Sequence, residues 1–296
     1  AKAMQAHTTR HRGTMTSIPD ITLNDGRTIP QLGFGTYQIP PGTTAQAVTA
    51  ALEAGYRHID TAEMYDNEAG VGEAVRASSL DRADVFVTSK LSNAYHRPDD
   101  GRREFDRTLE ALQSDYVDLF LIHWPLPMLY DGDYVSTWQL LEEFQRDGRA
   151  RSIGVSNFQP EHLDRLAAET DTVPAVNQIE AHPYFLNDEI RAYGQDHGIV
   201  TQAWSPLAQG ACLTDPVVVE IAAEQDRTPS QVVLRWHIQR GDVVFPKTTS
   251  PERMRENLDL FGFELSAEDM AALAALDKGE PGRTGPHPDT FDFVPG

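Results

Sequence analysis

The sequence predicts an α/β protein, a (β/α)8 TIM barrel with an N-terminal β-hairpin and an extra C-terminal helix and tail. From Leu32 onward, eight short apolar runs alternate with segments of helical periodicity, as parallel βαβ units do. Polar residues follow nearly every run, whereas a doubly wound sheet would concentrate its chemistry at one switch point. The 296 residues suit this fold, because α/β barrels use about 250 residues as one domain.

The first residues differ in composition from the rest of the chain. Residues 1–17 contain three Lys or Arg and no acidic residue, and they lack the apolar core of a secretory signal. We expect an N-terminal extension here, or residues added before a start at Met15. Residues 18–296 are then expected to form a single barrel domain.

A small hairpin is expected before the barrel. The turn residues Asn24-Asp25-Gly26 separate two short apolar segments, Ile21–Leu23 and Thr28–Pro30. Asn, Asp and Gly tolerate the positive φ that a tight hairpin turn requires.

The barrel strands and helices follow from the apolar pattern. Several helical segments begin near Pro and end before Gly, as helix boundaries prefer. The candidate strands are Leu32–Thr36, Arg57–Asp60, Val85–Ser89, Val117–Ile122, Ser152–Val155, Ala175–Glu180, Val200–Trp204 and Val243–Phe245. Helical spacing is seen in Ala45, Val48 and Leu52 before Gly55, in Phe105, Leu109 and Leu112 after Pro98, in Leu141 and Phe144 before Gly148, and in Val232, Val233 and Trp236 after Pro229.

One more helix is predicted after the eighth strand. Ser266, with Asp269 three residues later, resembles a capping box. Met270 and Leu273 continue the helical spacing, and a tail rich in Pro and Gly begins at Gly279.

The charge balance excludes some classes of partner. Lys and Arg number 25 against 45 Asp and Glu, and the formal charge of -20 repels phosphate backbones and anionic lipid heads. No uncharged stretch approaches the ~18 residues of a membrane span. The single Cys212 fits a reducing compartment. We therefore expect a cytoplasmic monomer that binds neither nucleic acid nor membrane.

Several short motifs, taken together, identify a family that the chain resembles. In chain order they are His58-Ile59-Asp60-Thr61-Ala62-Glu63-Met64-Tyr65-Asp66-Asn67-Glu68, Ser89-Lys90-Leu91, Ile122-His123-Trp124-Pro125, Ile153-Gly154-Val155-Ser156-Asn157-Phe158, Asn177-Gln178-Ile179-Glu180 and Pro246-Lys247. With them the chain resembles the aldo-keto reductase superfamily from about Ile18 to Phe293. Its tail, Gly282-Arg283-Thr284-Gly285 before Pro288-Asp289, is similar to that of bacterial 2,5-diketo-gluconate reductase-like enzymes.

The resemblance implies a catalytic tetrad of Asp60, Tyr65, Lys90 and His123. Reduction of a carbonyl builds negative charge on its oxygen, so the site needs a proton donor and a group that stabilises this charge. Tyr65 is the candidate donor, and an adjacent ammonium lowers the pKa of a phenol from about 10. Lys90 would supply the ammonium, Asp60 would orient it, and His123 would hydrogen-bond the carbonyl oxygen.

The implied cofactor is NADPH, bound without a dinucleotide fingerprint, since Gly33-Phe34-Gly35 lacks the third glycine. The turn before Pro251 offers free backbone N–H groups to an anion, and Arg253 could clamp a phosphate. A pairing of Arg253 with Glu252 or Glu256 is the alternative. The resemblance implies Ser156, Asn157 and Gln178 at the carboxamide, Trp204 at the nicotinamide ring, Ser205 and Leu207 at the pyrophosphate, Lys247, Thr248 and Arg253 at the 2′-phosphate, Glu256 and Asn257 near the adenine, and Gly35 and Thr36 as further cofactor contacts.

The expected substrate is a small aldehyde, ketone or dicarbonyl. By their place in the resembling family, Tyr37 and Trp124 would line its pocket. Many relatives carry Trp where Ser92 stands, and Ser92 would leave a wider or more polar pocket. The loop from Leu126 to Tyr134 is expected to close over the site.

Two other function classes remain open at this stage. One is a non-catalytic regulatory protein that binds NADPH on the same fold, because a fold alone does not establish activity. The other is a metal-dependent barrel hydrolase, for which metal analysis is the test. Its ligands would be Asp60, His58, His123 and His182, although His58, His96, His182 and Cys212 are each interpreted as structural.

Overall fold

The computed structural model describes residues 17–296, and residues 1–16 of the predicted extension lie outside it. The described residues form ten strands and ten α-helices. The strands are β1 (Asp20–Thr22), β2 (Thr28–Pro30), β3 (Phe34–Gly35), β4 (His58–Asp60), β5 (Phe86–Leu91), β6 (Val117–Ile122), β7 (Ala150–Ser156), β8 (Val176–Glu180), β9 (Val200–Trp204) and β10 (Val243–Val244). The helices are α1 (Pro41–Ala54), α2 (Glu68–Ala77), α3 (Pro98–Leu112), α4 (Tyr134–Arg146), α5 (Pro160–Glu169), α6 (Asp188–His197), α7 (Pro216–Gln225), α8 (Pro229–Arg240), α9 (Pro251–Leu258) and α10 (Ala267–Ala274).

Strands β3 to β10 form one parallel sheet in which spatial order follows chain order. The sheet closes where Leu32 bridges Val244, and the Gly33 N–H donates to the Val244 carbonyl at 2.8 Å. Gly35 lets the first and last strands of the sheet approach each other, since a Cβ at this position would lie 2.5 Å from the Phe245 carbonyl oxygen. The predicted (β/α)8 barrel is therefore confirmed.

Apolar side chains fill the space between the sheet and its helices. Phe105 of α3 and Phe144 of α4 have ring centroids 4.1 Å apart, and Phe105 lies 4.5 Å from Phe120 of β6. All three rings are fully buried. Burial of one such side chain stabilises the fold by about 2 to 3 kcal/mol, so this cluster holds α3 and α4 against the sheet.

The N-terminal hairpin covers one end of the barrel. Strands β1 and β2 pair antiparallel, and Leu23 and Ile29 are buried in one apolar cluster with Val176 and Val243. Because Val176 and Val243 begin β8 and β10, the hairpin lies at the N-terminal end. The site described below lies at the opposite end.

Some element boundaries differ from the prediction. Strands β5 and β7 extend to Leu91 and Ser156, so Lys90 lies inside its strand and not beyond it. Strand β9 is followed by two helices, α7 and α8, of which the sequence prediction identified only the second. The extra C-terminal helix is confirmed as α10, where the Ser266 hydroxyl accepts from the Asp269 N–H at 3.0 Å. In residues 17–296, no helix combines the length and the apolar character needed to cross a membrane.

Candidate active site

Four side chains that the sequence predicts to be catalytic meet at the C-terminal end of the barrel. Asp60 ends β4, Lys90 lies near the end of β5, and His123 directly follows β6. Tyr65 belongs to a short 3₁₀ turn that follows β4. Since the carboxyl ends of parallel strands share one rim of the barrel, segments far apart in the chain converge there.

The Lys90 side chain is fully buried, and its ammonium makes three contacts. Lys90 Nζ lies 2.7 Å from Asp60 Oδ1, 2.9 Å from the Thr61 carbonyl oxygen and 3.2 Å from Tyr65 Oη. All three ammonium protons thus have acceptors, and the Asp60 carboxylate compensates the buried charge.

These contacts shift two pKa values. Burial lowers the pKa of Lys90, but the Asp60 carboxylate and the Tyr65 hydroxyl raise it, and the net pKa lies above 10.5. Burial raises the pKa of Tyr65 above 10, and the Lys90 ammonium opposes this without reversing it. The sequence predicts a lowered pKa for Tyr65 from the adjacent ammonium. The structure has a raised pKa instead, because burial of the hydroxyl outweighs the effect of the ammonium. The hydroxyl is therefore protonated and the ammonium charged at neutral pH.

His123 is a neutral imidazole beside this pair. Burial, then the charges of Lys90 and His96, hold the pKa of His123 well below 6.5. Its ring packs edge-on against Tyr65 with centroids 5.7 Å apart. A neutral imidazole carries one donor and one acceptor nitrogen, so His123 can donate to an oxygen without a net charge.

A buried amide supports Asp60 from across the barrel. Gln178 Nε2 lies 2.8 Å from Asp60 Oδ2, although the two residues are 118 positions apart in the chain. The same Nε2 lies 2.8 Å from Oε1 of Gln202, on the next strand. Gln202 was missed by the sequence analysis. The strand register reveals the role of Gln202, because Gln178 on β8 and Gln202 on β9 are directly paired.

The proposed carboxamide and ring contacts form a second hydrogen-bonded cluster. Asn157 Nδ2 donates to the His123 carbonyl at 3.0 Å and to Ser156 Oγ at 3.1 Å. Ser156 Oγ in turn donates to the Gln178 carbonyl at 2.8 Å, and Trp204 Nε1 donates to Asn157 Oδ1 at 2.8 Å. The structure therefore brings these residues together at the ends of β7, β8 and β9.

A buried asparagine fixes the turn that carries Tyr65. Asn67 Oδ1 accepts from Thr61 Oγ1 at 2.7 Å, and its Nδ2 donates to the Thr36 carbonyl at 2.8 Å. Thr36 Oγ1 donates to the Asp60 carbonyl at 3.0 Å. Gly35 and Thr36 are both fully buried, so the hydroxyl predicted to contact the cofactor already has a protein partner. Asn67 is a second residue whose role the sequence analysis missed.

The predicted phosphate contacts lie apart from the tetrad, around the start of α9. Ser250 Oγ accepts from the Arg253 N–H at 3.3 Å, and the two residues line a surface cleft with Glu252 and Glu256. Within residues 17–296, Arg253 forms no salt bridge, so the alternative pairing with these glutamates is not observed. The other predicted contacts differ in exposure: Lys247 is exposed, Ser205, Leu207 and Glu256 are half-buried, and Thr248 and Asn257 are buried.

The mouth of the site is aromatic. Tyr37 is 58% exposed, and its ring centroid lies 5.2 Å from that of Tyr65. The ring centroid of Trp124 lies 4.3 Å from that of Phe291 in the tail and 6.5 Å from that of Trp204. The tail therefore covers one side of the predicted substrate pocket.

Glu180 fastens this tail to the barrel. Its carboxylate accepts from the Thr284 N–H at 2.7 Å, the Thr284 hydroxyl at 2.8 Å and the Gly285 N–H at 2.8 Å. A Cβ on Gly285 would lie 2.4 Å from Trp204 Cη2, so the tail backbone packs directly on the indole. The sequence analysis quoted Glu180 within a motif but did not assign it this contact.

The remaining histidines and the cysteine have structural surroundings. His182 Nε2 lies 2.8 Å from Glu180 Oε2, and His58 Nε2 lies 3.3 Å from Thr88 Oγ1. Burial lowers the pKa of His96 to about 3 and raises the pKa of Cys212 to about 12. Across the described part of the chain, no three His, Cys, Asp or Glu side chains group as metal ligands. This arrangement supplies no ligand set for the hydrolase alternative.

Comparisons with known proteins agree with this geometry. The family model of the Aldo/keto reductase family matches residues 31–278. An aldo-keto reductase of Mycolicibacterium smegmatis is 50% identical over 276 residues, which cover 93% of this chain and 99% of the relative. Methylglyoxal reductase DkgA of Yersinia pestis is 45% identical over 280 residues, or 94% of this chain and 99% of DkgA. A crystal structure of a Gox0644 variant in complex with NADPH is 43% identical, with a TM-score of 0.90 and coverage of 94% of this chain and 100% of that chain.

Proposed function

Since the chain belongs to the aldo/keto reductase family, we propose that it is an NADPH-dependent reductase of small aldehydes, ketones or dicarbonyls. One observation carries the proposal: Tyr65 Oη lies 3.2 Å from the buried ammonium of Lys90, which lies 2.7 Å from Asp60 Oδ1. A phenol next to a fixed positive charge can give up its proton and remain stabilised as a phenolate.

Tyr65 acts as the general acid in this proposal. NADPH, when bound, supplies a hydride to the carbonyl carbon of the substrate. The Tyr65 hydroxyl transfers its proton to the carbonyl oxygen as negative charge develops there. Because burial keeps the pKa of Tyr65 raised, the hydroxyl holds a proton to donate. Lys90 then stabilises the phenolate, and Asp60 keeps the ammonium in place.

His123 orients the substrate. Its imidazole is neutral and lies against Tyr65, so one ring N–H can donate to the same carbonyl oxygen. This second donor would hold the oxygen near the Tyr65 hydroxyl and disperse charge in the transition state.

The residues at the strand ends fit the nicotinamide end of NADPH. Ser156, Asn157 and Gln178 present amide and hydroxyl groups that suit a carboxamide, and the half-buried Trp204 offers a flat surface for the ring. Ser205 and Leu207, which follow Trp204 in the chain, would contact the pyrophosphate.

At the adenosine end of NADPH, the proposed binding depends on Arg253. Its guanidinium is exposed at the cleft and has no salt bridge within residues 17–296, and the backbone of α9 begins beside it. A planar guanidinium and a helix N-terminus both favour a phosphate group. Lys247, Thr248, Glu256 and Asn257 complete the proposed adenosine end. Gly35 and Thr36, being buried, would support the site from behind.

The proposed substrate class rests on the aromatic mouth of the site and on the name of one similar protein. The aromatic mouth formed by Tyr37 and Trp124 suits a neutral carbonyl compound, and the relative DkgA is named a methylglyoxal reductase. The formal charge of -20 should slow the approach of anions at low salt. We therefore expect a higher kcat/KM for methylglyoxal and neutral aldehydes than for matched keto acids. Faster turnover of keto-sugar acids would contradict this preference.

The decisive experiment compares wild type with Tyr65→Phe. Oxidation of NADPH is followed across a panel of carbonyl compounds, and the Kd of NADPH is measured by quenching of protein fluorescence. Loss of the general acid should lower kcat by about 10²- to 10⁴-fold, while the Kd stays close to wild type. Tyr193→Phe is the matched control, because its hydroxyl bonds Asp164 on the surface at 2.6 Å.

Two outcomes would overturn the proposal. Full kcat in Tyr65→Phe would remove Tyr65 as the acid. A wild-type protein that binds NADPH but reduces nothing would favour the non-catalytic regulatory alternative. The cytoplasmic location, the monomeric state and the single domain over residues 18–296 stay predictions.

A further inference from the structure

Two buried glutamines extend the site beyond the residues with proposed roles. Gln178 and Gln202 lie side by side on β8 and β9, each 2% exposed or less. Gln178 Nε2 contacts Asp60 Oδ2 and Gln202 Oε1, both at 2.8 Å. Together with Lys90 and Tyr65, these groups form one continuous hydrogen-bonded chain across the barrel.

The direction of each bond in this chain is fixed by chemistry. The Asp60 carboxylate can only accept, and its Oδ1 already accepts from Lys90. The Gln178 amide must therefore turn its NH₂ group toward Oδ2, since the reversed amide would set two oxygens 2.8 Å apart. For the same reason Gln202 must turn its oxygen toward Gln178, because the reverse would oppose two NH₂ groups.

The consequence is that the side-chain oxygen of Gln178, Oε1, is left as an acceptor without a donor among residues 17–296. Both protons of its amide are used, by Asp60 and by Gln202, and no donor from residues 17–296 reaches its Oε1. A nicotinamide carboxamide has an NH₂ group that needs such an acceptor.

We propose that Gln202 is a positioning residue for carbonyl reduction, which acts by holding the Gln178 amide between Asp60 and the nicotinamide carboxamide. This inference rests on the proposed reductase function. In this proposal Gln202 acts only through Gln178, which its Oε1 contacts at 2.8 Å. It couples the cofactor pocket to the Asp60–Lys90–Tyr65 group through one hydrogen bond.

A purely structural role for Gln202 fits the geometry less well. Its own Nε2 is buried and has no hydrogen-bond partner within the described residues. An unpaired buried donor destabilises a fold, and an apolar side chain of similar length would avoid that cost. The acceptor oxygen is thus the feature that glutamine supplies at this position.

The test compares two substitutions of Gln202, one that removes the acceptor oxygen and one that keeps it, at nearly the same side-chain length. Gln202→Met keeps the length but removes the acceptor, and Gln202→Glu keeps an acceptor oxygen. We expect kcat to fall about tenfold in Gln202→Met and the Kd of NADPH to rise several-fold, with Gln202→Glu within about threefold of wild type. Gln145→Met on α4, whose amide contacts the Arg151 carbonyl at 3.4 Å on the surface, is the control.

A double variant shows whether Gln202 acts through Gln178. In a Gln178→Met background, a further Gln202→Met change should leave kcat and Kd unchanged, because the bond is already lost. The kinetic isotope effect with 4-deuterated NADPH should rise in Gln202→Met, since the chemical step is slowed. A merely structural change would not produce that rise.

Three results would overturn the inference: wild-type kcat and Kd in Gln202→Met, equal losses in the Met and Glu variants, or additive losses in the double variant. The Kd comparison needs no turnover. A protein that binds NADPH and reduces nothing would therefore refute the proposed function, while the Kd values would still decide the role of Gln202.

Discussion

Replacement of Arg253 with Ala should weaken NADPH binding about tenfold and leave NADH binding nearly unchanged. The two cofactors differ only in the 2′-phosphate, so the ratio of their Kd values isolates this contact. A hydrogen bond to a charged group contributes about 1.5 to 3 kcal/mol. Arg253 is exposed, so solvent screening puts the effect at the lower end of this range, near tenfold.

The assay is a fluorescence-quenching titration with each cofactor at low and at high salt. High salt should reduce the preference for NADPH, because an exposed ionic contact is screened. Arg255→Ala is the charge-matched control, since Arg255 is also exposed on α9 but does not line the cleft. Equal weakening of both cofactors, or the same loss in Arg255→Ala, would refute the assignment of Arg253 to the 2′-phosphate.

Three further predictions concern other parts of the structure. Lys90→Met should depress kcat and lower the free energy of unfolding by about 3 to 5 kcal/mol, because it leaves the buried Asp60 carboxylate without an opposite charge. Asp60→Asn in the same chain should restore stability in urea titrations but not turnover. Gly285→Ala should raise the Kd of NADPH, since its Cβ would lie 2.4 Å from Trp204 Cη2 and displace the indole. An unchanged Kd would show that the tail does not position Trp204 for the cofactor. Burial raises the pKa of Glu68 from 4.5 to about 7, so its contribution to stability is full below pH 4.5 and is lost as the pH rises through 7. Glu68→Gln should therefore lose less stability than wild type between pH 5 and pH 8, by on the order of 3 kcal/mol, and parallel pH profiles would contradict this.

The strands, and the meeting of the four predicted side chains at the rim of the barrel, could be predicted because their signals are local. A strand buried on both faces reads as an apolar run, as Val117–Ile122 does, and a polar residue at its end marks the rim of the barrel. Helix α7 was missed because Val217, Val218 and Val219, which follow its first residue, are β-branched and favour a strand. The cap at Asp215, whose Oδ1 accepts from the Val217 N–H at 3.0 Å, was the contrary signal.

The contacts of Gln178 and of the tail could not be predicted, because they depend on closure of the barrel. Gln178 reaches Asp60 only when β8 and β4 face each other across the interior. Phe291 reaches Trp124 only after the tail has crossed the rim. The pKa of Tyr65 belongs to the same class, since its direction depends on burial that no local pattern encodes.

Two buried ion pairs lie at opposite ends of the barrel, and only one of them contacts a hydroxyl at the mouth. Before β10, at the end that the hairpin covers, the Arg191 guanidinium contacts the Asp242 carboxylate at 2.7, 3.0 and 3.2 Å. A buried pair can often be replaced by apolar side chains without loss of stability, so neither this pair nor Lys90–Asp60 follows from stability alone. The Arg191–Asp242 pair joins α6 to the start of β10. Lys90 also contacts a hydroxyl that can lose a proton, and the Tyr65 ring is partly exposed at the mouth. We therefore expect a substrate to meet a proton donor at that end, and we expect the chemistry there and not at the hairpin.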